Sequence, residues 1–516
     1  MLNWTKDGEG GSGNPLSNPA AAAKLLGELR DAEPLIALND LRGWLDTLAG
    51  TPAQDEQARA EVLALVQDSG APHAEKLVEQ FLSRPGVTQR GREASWIALV
   101  DYLKALTQAQ VASAKPVAAA ARILNALRML AKAYLLRYYA VPSGVWKLAY
   151  TIHRRAEKAG SATTPVRVHA NLTRSATQEL LRLLMLSASA PELMAPDQIE
   201  VADRVIEQLG DDFTLRPARV LDNVFCFDPA GEHAPMRTED RPPGLAADAR
   251  CFGAGAGRDA LERIYRQLAS GRAGEAPAFG RDIEPYIQVS TIQHLLAFWG
   301  ETCPYRPQAR APEKGPLQVV HGFGAVWQRL SSAGSSGLTL SLVEDGDATE
   351  QGPERWTLCD AGGNEFGADA PQDAAEWARC GDLVCISVQD GVWWAGVVRS
   401  VRAEPNRGPH VVVYVLSRTA RAVELQAHIE KGDEAVYSGE AARQFDFNRV
   451  RAIIVSDGAG GTQTPNMLLP PDGWKDGRVY ELESEGGAPR SLRGMHLMRQ
   501  RDDYVRATFE WLDGSS

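Results

Sequence analysis

The feature that most constrains this chain is a change of hydrophobic period close to residue 300. Before it, apolar residues recur three and four apart, as in "ASWIALVDYLKALTQAQVAS", where Trp96, Leu99, Val100, Leu103 and Leu106 make one helical stripe. After "HLLAFWGETCPYRPQARAPEKGP" the chain turns to short runs of Val, Leu, Ile, Thr and Trp cut by Gly, Asp, Asn and Pro, the pattern of strands and tight turns. The two patterns need different layers, and 516 residues exceed what one hydrophobic core holds. The fold class expected is therefore multidomain α+β. A flexible tail over 1–20 leads into an all-α helical domain over 21–300, a β-barrel over 301–430 and a smaller C-terminal barrel or half-barrel over 440–513.

Within the helical part, "PVAAAARILNALRMLAKAYLLRYYAVP" predicts a helix from about Pro116 to Tyr139. Arg122, Arg128, Lys132 and Arg137 are too dense on it for a lipid-facing span, so no membrane span is expected. "SATQELLRLLMLSASAPELMAPDQIEVADRVIEQL" predicts two more helices split at "APELMAPD", with leucines placed for packing. "NVFCFDP" reads as a short strand. The β part offers "LQVVHGFG", "GLTLSLVED", "RWTLCDA", "DLVCISVQ", "VWWAGVVRSVRA", "HVVVYVLS" and "AVELQAH". A second set follows in "NRVRAIIVSDG", "NMLLPP", "RVYELESE", "SLRGMHLMRQ" and "YVRATFEWL".

A formal net charge of −11 opposes a protein that coats DNA or RNA, which needs a basic field to replace phosphate counterions. A small anionic ligand needs only a few local arginines and stays open. Six cysteines without a CxxC pair suggest reduced thiols and a cytoplasmic address, and the glycine-rich start "MLNWTKDGEGGSGNP" lacks the apolar core of a secretory signal. The nine histidines form no HExxH or HxH pair, and no GxSxG elbow is present. "GAGAGRDALERIYRQLASG" lacks the Lys-Ser/Thr of a phosphate loop and reads as a flexible helix start. The expectation is a non-enzymatic protein without a cofactor or metal site.

"YRPQAR" stands where the helical half becomes the β half and spells R-x-x-x-R with Arg306 and Arg310. Arginine carries a planar fork of donors that grips phosphate, pairs with guanine or stacks on a base. This lead-in, followed by "RWTLCDAGGNEFG" and "CGDLVCISVQDGVWWAGVVRSV", resembles the PilZ domain, a six-stranded barrel that binds cyclic di-GMP. The helical half is similar to the amino-terminal regions of larger multidomain PilZ proteins, most of all in "LLRYYAVPSGVWKLAYTIHRRAEKAG". The resemblance implies that Arg306 and Arg310 contact guanine and phosphate, and that a second motif, Asp/Asn-x-Ser-x-x-Gly, completes the site. Its counterpart here is "DAGGNEFG", in which Asp360 matches, Gly362 stands for the serine and Glu365 for the glycine; Gly367 serves if the loop is two residues longer. The resemblance thus implies a cyclic-di-GMP receptor in which ligand binding couples barrel and helical domain. The departures at Gly362 and Glu365 keep open a nucleotide-independent adaptor that binds a protein partner.

Adjacent tryptophans in "GVWWAGVV" point to opposite faces of a strand. One enters the barrel core. The other, assigned to Trp393 with Arg399 beyond it, serves a domain or partner contact, or stacks on a ligand base.

Overall fold

The computed structural model describes residues 16, 18–50, 55–82, 89–113, 117–169, 172–218, 220, 223–241, 248–270, 279–280, 283–305, 310–334, 352–389, 391–404, 407–428, 449–455, 464–482 and 489–512. It divides into two compact units, Met1–Arg306 and Pro307–Ser516.

In the first unit, helices α1 (Pro19–Glu28), α2 (Pro34–Gly50), α3 (Glu56–Leu82), α4 (Gln89–Ala112), α5 (Ala120–Leu135) and α6 (Ser143–Lys158) come first. The short hairpin β1 (Val166–His169) and β2 (Leu172–Arg174) then leads to α7 (Ala176–Ala188) and α8 (Pro196–Leu209). Local sequence sets the helix starts. Asn18 accepts from the Ala20 amide at 2.8 Å with Pro19 in the first turn, and Ser175 and Gln178 form a reciprocal capping box at α7. Most of the expected tail lies outside the described residues, although Leu16 is buried and α1 already begins at Pro19.

Helix α7 is buried on every side, from Leu180 and Leu181 through Leu183, Leu184, Met185 and Leu186, which makes it the central helix of the unit. Its two charged residues, Glu179 and Arg182, are fully buried and bond each other at 2.7 Å. Around them Asn125 donates to Glu179 at 3.2 Å, Arg128 bonds Asp203, and Lys132 reaches Asp203 at 2.9 Å and Glu200 beside it. Burial works against the charged form of Asp203, yet the Arg128 and Lys132 cations hold its carboxyl far below the ordinary carboxylate range.

The unit continues with β3 (Thr214–Arg216), β4 (Phe225–Phe227), β5 (Met236–Arg237) and β6 (Arg250–Gly253), followed by α9 (Gly257–Ala269) and α10 (Pro285–Phe298). The four strands form one small antiparallel sheet in the order β3-β6-β4-β5. The helical region expected from the sequence is thus present, with two small sheets added to it. The glycine run starts α9, and β4 is the strand read in "NVFCFDP".

The second unit contains two closed barrels. The first is built from β7 (Ala311–His321), β8 (Glu354–Gly362), β9 (Glu365–Asp369), β10 (Leu383–Gln389), β11 (Val392–Arg402) and β12 (His410–Ser417). The second uses β13 (Arg421–Ala427), β14 (Arg449–Ile454), β15 (Asn466–Leu469), β16 (Val479–Leu482), β17 (Arg490–Gln500) and β18 (Val505–Trp511). All pairings are antiparallel. Counted from its own first strand, each barrel has the same cyclic order: first, second, third, sixth, fifth, fourth, with the fourth closing on the first. The C-terminal segment, expected as a barrel or half-barrel, is a complete six-stranded barrel. Alternation fills the interiors: Leu317, Val319, Trp356, Leu358, Val384, Ile386, Val411 and Val413 are buried in the first. The candidate strand "GLTLSLVED" lies outside the described residues.

Between β7 and β8 the chain forms α11 (Phe323–Gly334), after a turn at Gly322 with φ +82. The strand-rich context hid this helix, whose Phe323, Val326, Trp327 and Leu330 repeat at helical spacing. These residues share one core cluster with Leu383, Cys385, Ala395 and Val397 on the outside of the first barrel and Ile453, Val455, Leu468 and Tyr504 of the second. Trp327 donates to the Val423 carbonyl at 3.1 Å, and Tyr504 donates to the Gly381 carbonyl at 2.8 Å. Gly381 has φ +94, a left-handed backbone conformation that favours glycine, and the Arg501 guanidinium packs where a Cβ would stand.

Candidate functional site

The candidate site lies on the β8–β9 hairpin and the residue leading into β7. Ala311 pairs with Ala361, and Gly362 with Glu365, which brings Arg310 alongside the hairpin tip. Its Nε lies 2.6 Å from Asp360 Oδ1 and its Nη1 donates to Glu365 Oε2 at 3.3 Å. The Asp360 contact is an ion pair without aligned hydrogen-bond geometry, and both of its atoms are buried. Arg310 and Asp360 are part-exposed, while Glu365 is buried. Arg306 lies outside the described residues.

Backbone register explains the meeting of these side chains. Leu358 pairs with Ala368 and Asp360 with Gly367, leaving Cys359 as the extra residue of a bulge. The bulge turns Asp360 across Gly367, where a Cβ would stand 2.3 Å from Asp360 Oδ1. Glycine at 367 is therefore a condition for this carboxylate position. Gly363, with φ +58, makes the turn before Glu365.

Arg418, just beyond β12, holds the hairpin from the other side. It donates to the Gly363 carbonyl at 2.9 Å, and its guanidinium stands 4.6 Å from the Trp394 ring centroid and 6.0 Å from that of Phe366. Sequence reasoning missed Arg418 because its partners lie far away in the chain; no local pattern marks it.

The paired tryptophans separate as alternation requires. Trp394 shares the inner side with Phe366, their centroids 5.5 Å apart. Trp393 packs on the cluster around α11, with the Arg329 guanidinium 5.0 Å from its ring. Arg399 lies within electrostatic reach of Arg499 in the second barrel. Trp393 and Arg399 therefore have separate neighbours.

Elsewhere on the first barrel, burial pushes the Cys385 thiol up to about 12, which leaves it an inert packing group. His321 stacks on Trp377 at 3.8 Å; burial lowers its pKa, against the Glu354 and Asp503 charges. Cys359, Asp369 and His410 form one group of metal-ligating type.

These observations define the class: an α+β protein with a helical region followed by two closed six-stranded barrels. Residues 20–218 match the family model described as the cyclic-di-GMP receptor FimW, N-terminal domain. No curated protein and no solved structure matches the chain. Among the described residues, no helix is long and apolar enough to cross a membrane.

Proposed function

We propose that this chain is a non-enzymatic signalling receptor for cyclic di-GMP, with its first barrel acting as a PilZ-type module. The similarity of residues 20–218 to the FimW N-terminal domain supports the ligand class. The observation that carries the location is Arg310, held at the β8–β9 hairpin by Asp360 and Glu365. Arg306 and Arg310 grip phosphate and guanine, and Asp360 orients Arg310 and accepts from the guanine edge.

Binding begins with an exchange of partners. The guanidinium of Arg310 is already neutralised by carboxylates, so an incoming phosphate must compete with Glu365 for it. The lead-in around 306–310 is also where the chain passes from the helical unit to the barrel unit. Drawing it onto the ligand changes the setting of the helical unit, and that coupling carries the signal to a protein partner. The trigger is local and electrostatic, and the readout lies in the helical unit.

Calorimetric titration of the full chain with cyclic di-GMP, beside the Arg306→Ala/Arg310→Ala variant, tests the reading. Binding at micromolar affinity or tighter, lost in the variant, is expected. Glu365 favours a second reading, because it keeps a carboxylate 3.3 Å from Arg310 where the motif has glycine. The barrel then serves as a nucleotide-independent adaptor. A folded protein that gives no heat, and captures the same partner with or without nucleotide, would establish that alternative.

A further inference from the structure

Beside the hairpin, three neighbouring strands each direct one ligand-type side chain outward. Asp369 on β9 pairs directly with His410 on β12, and β8 supplies Cys359 from its bulge. The adjoining residues Leu358, Ala368 and Val411 are fully buried and face the interior, which places Cys359, Asp369 and His410 on the outer face. One ligand atom from each residue lies within 4.8 Å of the other two, and His410 Nδ1 is 2.9 Å from Asp369 Oδ1. The Cys359 thiol donates to the Thr357 carbonyl at 3.4 Å, an exposed and weak interaction.

We propose that Cys359, Asp369 and His410 form a zinc-binding site on the outer face of the first barrel. Thiolate, imidazole and carboxylate are the donors zinc takes, with bonds of about 2.3, 2.0 and 2.1 Å. Those bonds separate tetrahedral donors by roughly 3.3–3.7 Å, so small side-chain rotations close the existing group around an ion. The strands are fixed by ladder hydrogen bonds on both sides of β9, so only side chains need to move. Three protein ligands leave the fourth position to water or to an exogenous donor.

Binding has a defined proton balance. The Cys359 thiol releases its proton to solvent, and neutral His410 carries its proton on Nε2 while Nδ1 donates its lone pair to the ion. The ion takes the place that a proton between His410 Nδ1 and Asp369 Oδ1 can occupy, and that proton passes through solvent to Nε2, so neutral His410 changes tautomer and releases no net proton. No electron transfer is involved. The site uses none of Arg310, Asp360 or Glu365, so it stands whether or not the first barrel takes a nucleotide.

Cobalt(II) titration of the full chain, kept reduced, provides the test. A thiolate-to-cobalt charge-transfer band should grow to one ion per chain and disappear on adding zinc. Cys359→Ser should abolish it, His410→Gln should lose most of it with circular dichroism unchanged, and Cys303→Ser should retain it. Absence of the band in the unmodified chain, or its survival in Cys359→Ser, would overturn the assignment. The His410→Gln arm keeps Cys359 in place and so answers the question even if Cys359→Ser disturbs the bulge.

Discussion

Two clusters of opposite charge in this molecule use the same residue types to different ends. In the helical unit Glu179, Arg182, Arg128 and Asp203 are buried together with Lys132 part-buried beside them, and each acidic or basic group meets a partner inside the fold. On the first barrel Arg310 meets Asp360 and Glu365 at a part-exposed hairpin, with one contact poorly aligned. The buried cluster is committed to its partners because removing one strands a charge without water. The hairpin cluster is only partly enclosed: Glu365 is buried, but Arg310 and Asp360 reach solvent, where water or a ligand can replace a contact that either of them loses. Enclosure separates an architectural charge network from one suited to recognition.

The largest effect should come from breaking the buried cluster. Asp203→Ala takes the carboxylate from both Arg128 and Lys132 and should destabilise the helical unit by about 3–5 kcal/mol, read from the urea midpoint. A loss below about 1 kcal/mol, the range of surface pairs, would erase the contrast between the clusters. Next comes Arg310→Ala. It should weaken cyclic di-GMP binding by about 2 kcal/mol, roughly 30-fold, in a calorimetric titration, while the urea midpoint of the barrel unit falls by less than that of the helical unit does in Asp203→Ala.

Glu365→Gln should act in the opposite direction. It keeps the side-chain shape while removing the charge that competes with phosphate, and should tighten binding about 3- to 10-fold, with a smaller gain at high salt. Unchanged affinity would show that Glu365 does not face the ligand. The smallest effect is a pH response of the helical unit. Burial, ahead of the Lys76 charge, lowers His73 from its ordinary 6.5; burial and Arg250 lower His153 against Glu157. The unfolded chain takes up protons that the folded one refuses, so stability present above about pH 6.5 should decline as pH falls through the unfolded value. Urea midpoints at neutral and mildly acidic pH would show it, and the decline should shrink in His153→Gln.

The barrels were legible because alternation is a direct consequence of pleating: "DLVCISVQ" and "VWWAGVVRSV" became β10 and β11, with Trp393 and Trp394 on opposite sides. Helix α11 was hidden because a twelve-residue amphipathic segment inserted between strands gives a weak periodic signal. The segment "DAGGNEFG" could be singled out from its turn residues, but its geometry depends on a bulge at Cys359 that sets Asp360 against Gly367, and bulges leave no simple period. Arg418 and the Cys359, Asp369 and His410 group arise from register between distant strands. The buried cluster was masked by its setting: the leucines around Glu179 and Arg182 announced packing and gave no sign that ions were enclosed with them.

Helix α11 sets a timetable for synthesis. Phe323, Val326 and Leu330 emerge well before Ile453, Val455, Leu468 and Tyr504, which complete the cluster that covers them. At about 5–20 residues per second, the interval from the end of α11 to Tyr504 is roughly 10–30 s. The first barrel can cover only part of that apolar face during the wait. A nascent chain halted between the barrels would carry a sticky wedge, and translation pauses placed there should draw chaperones to it.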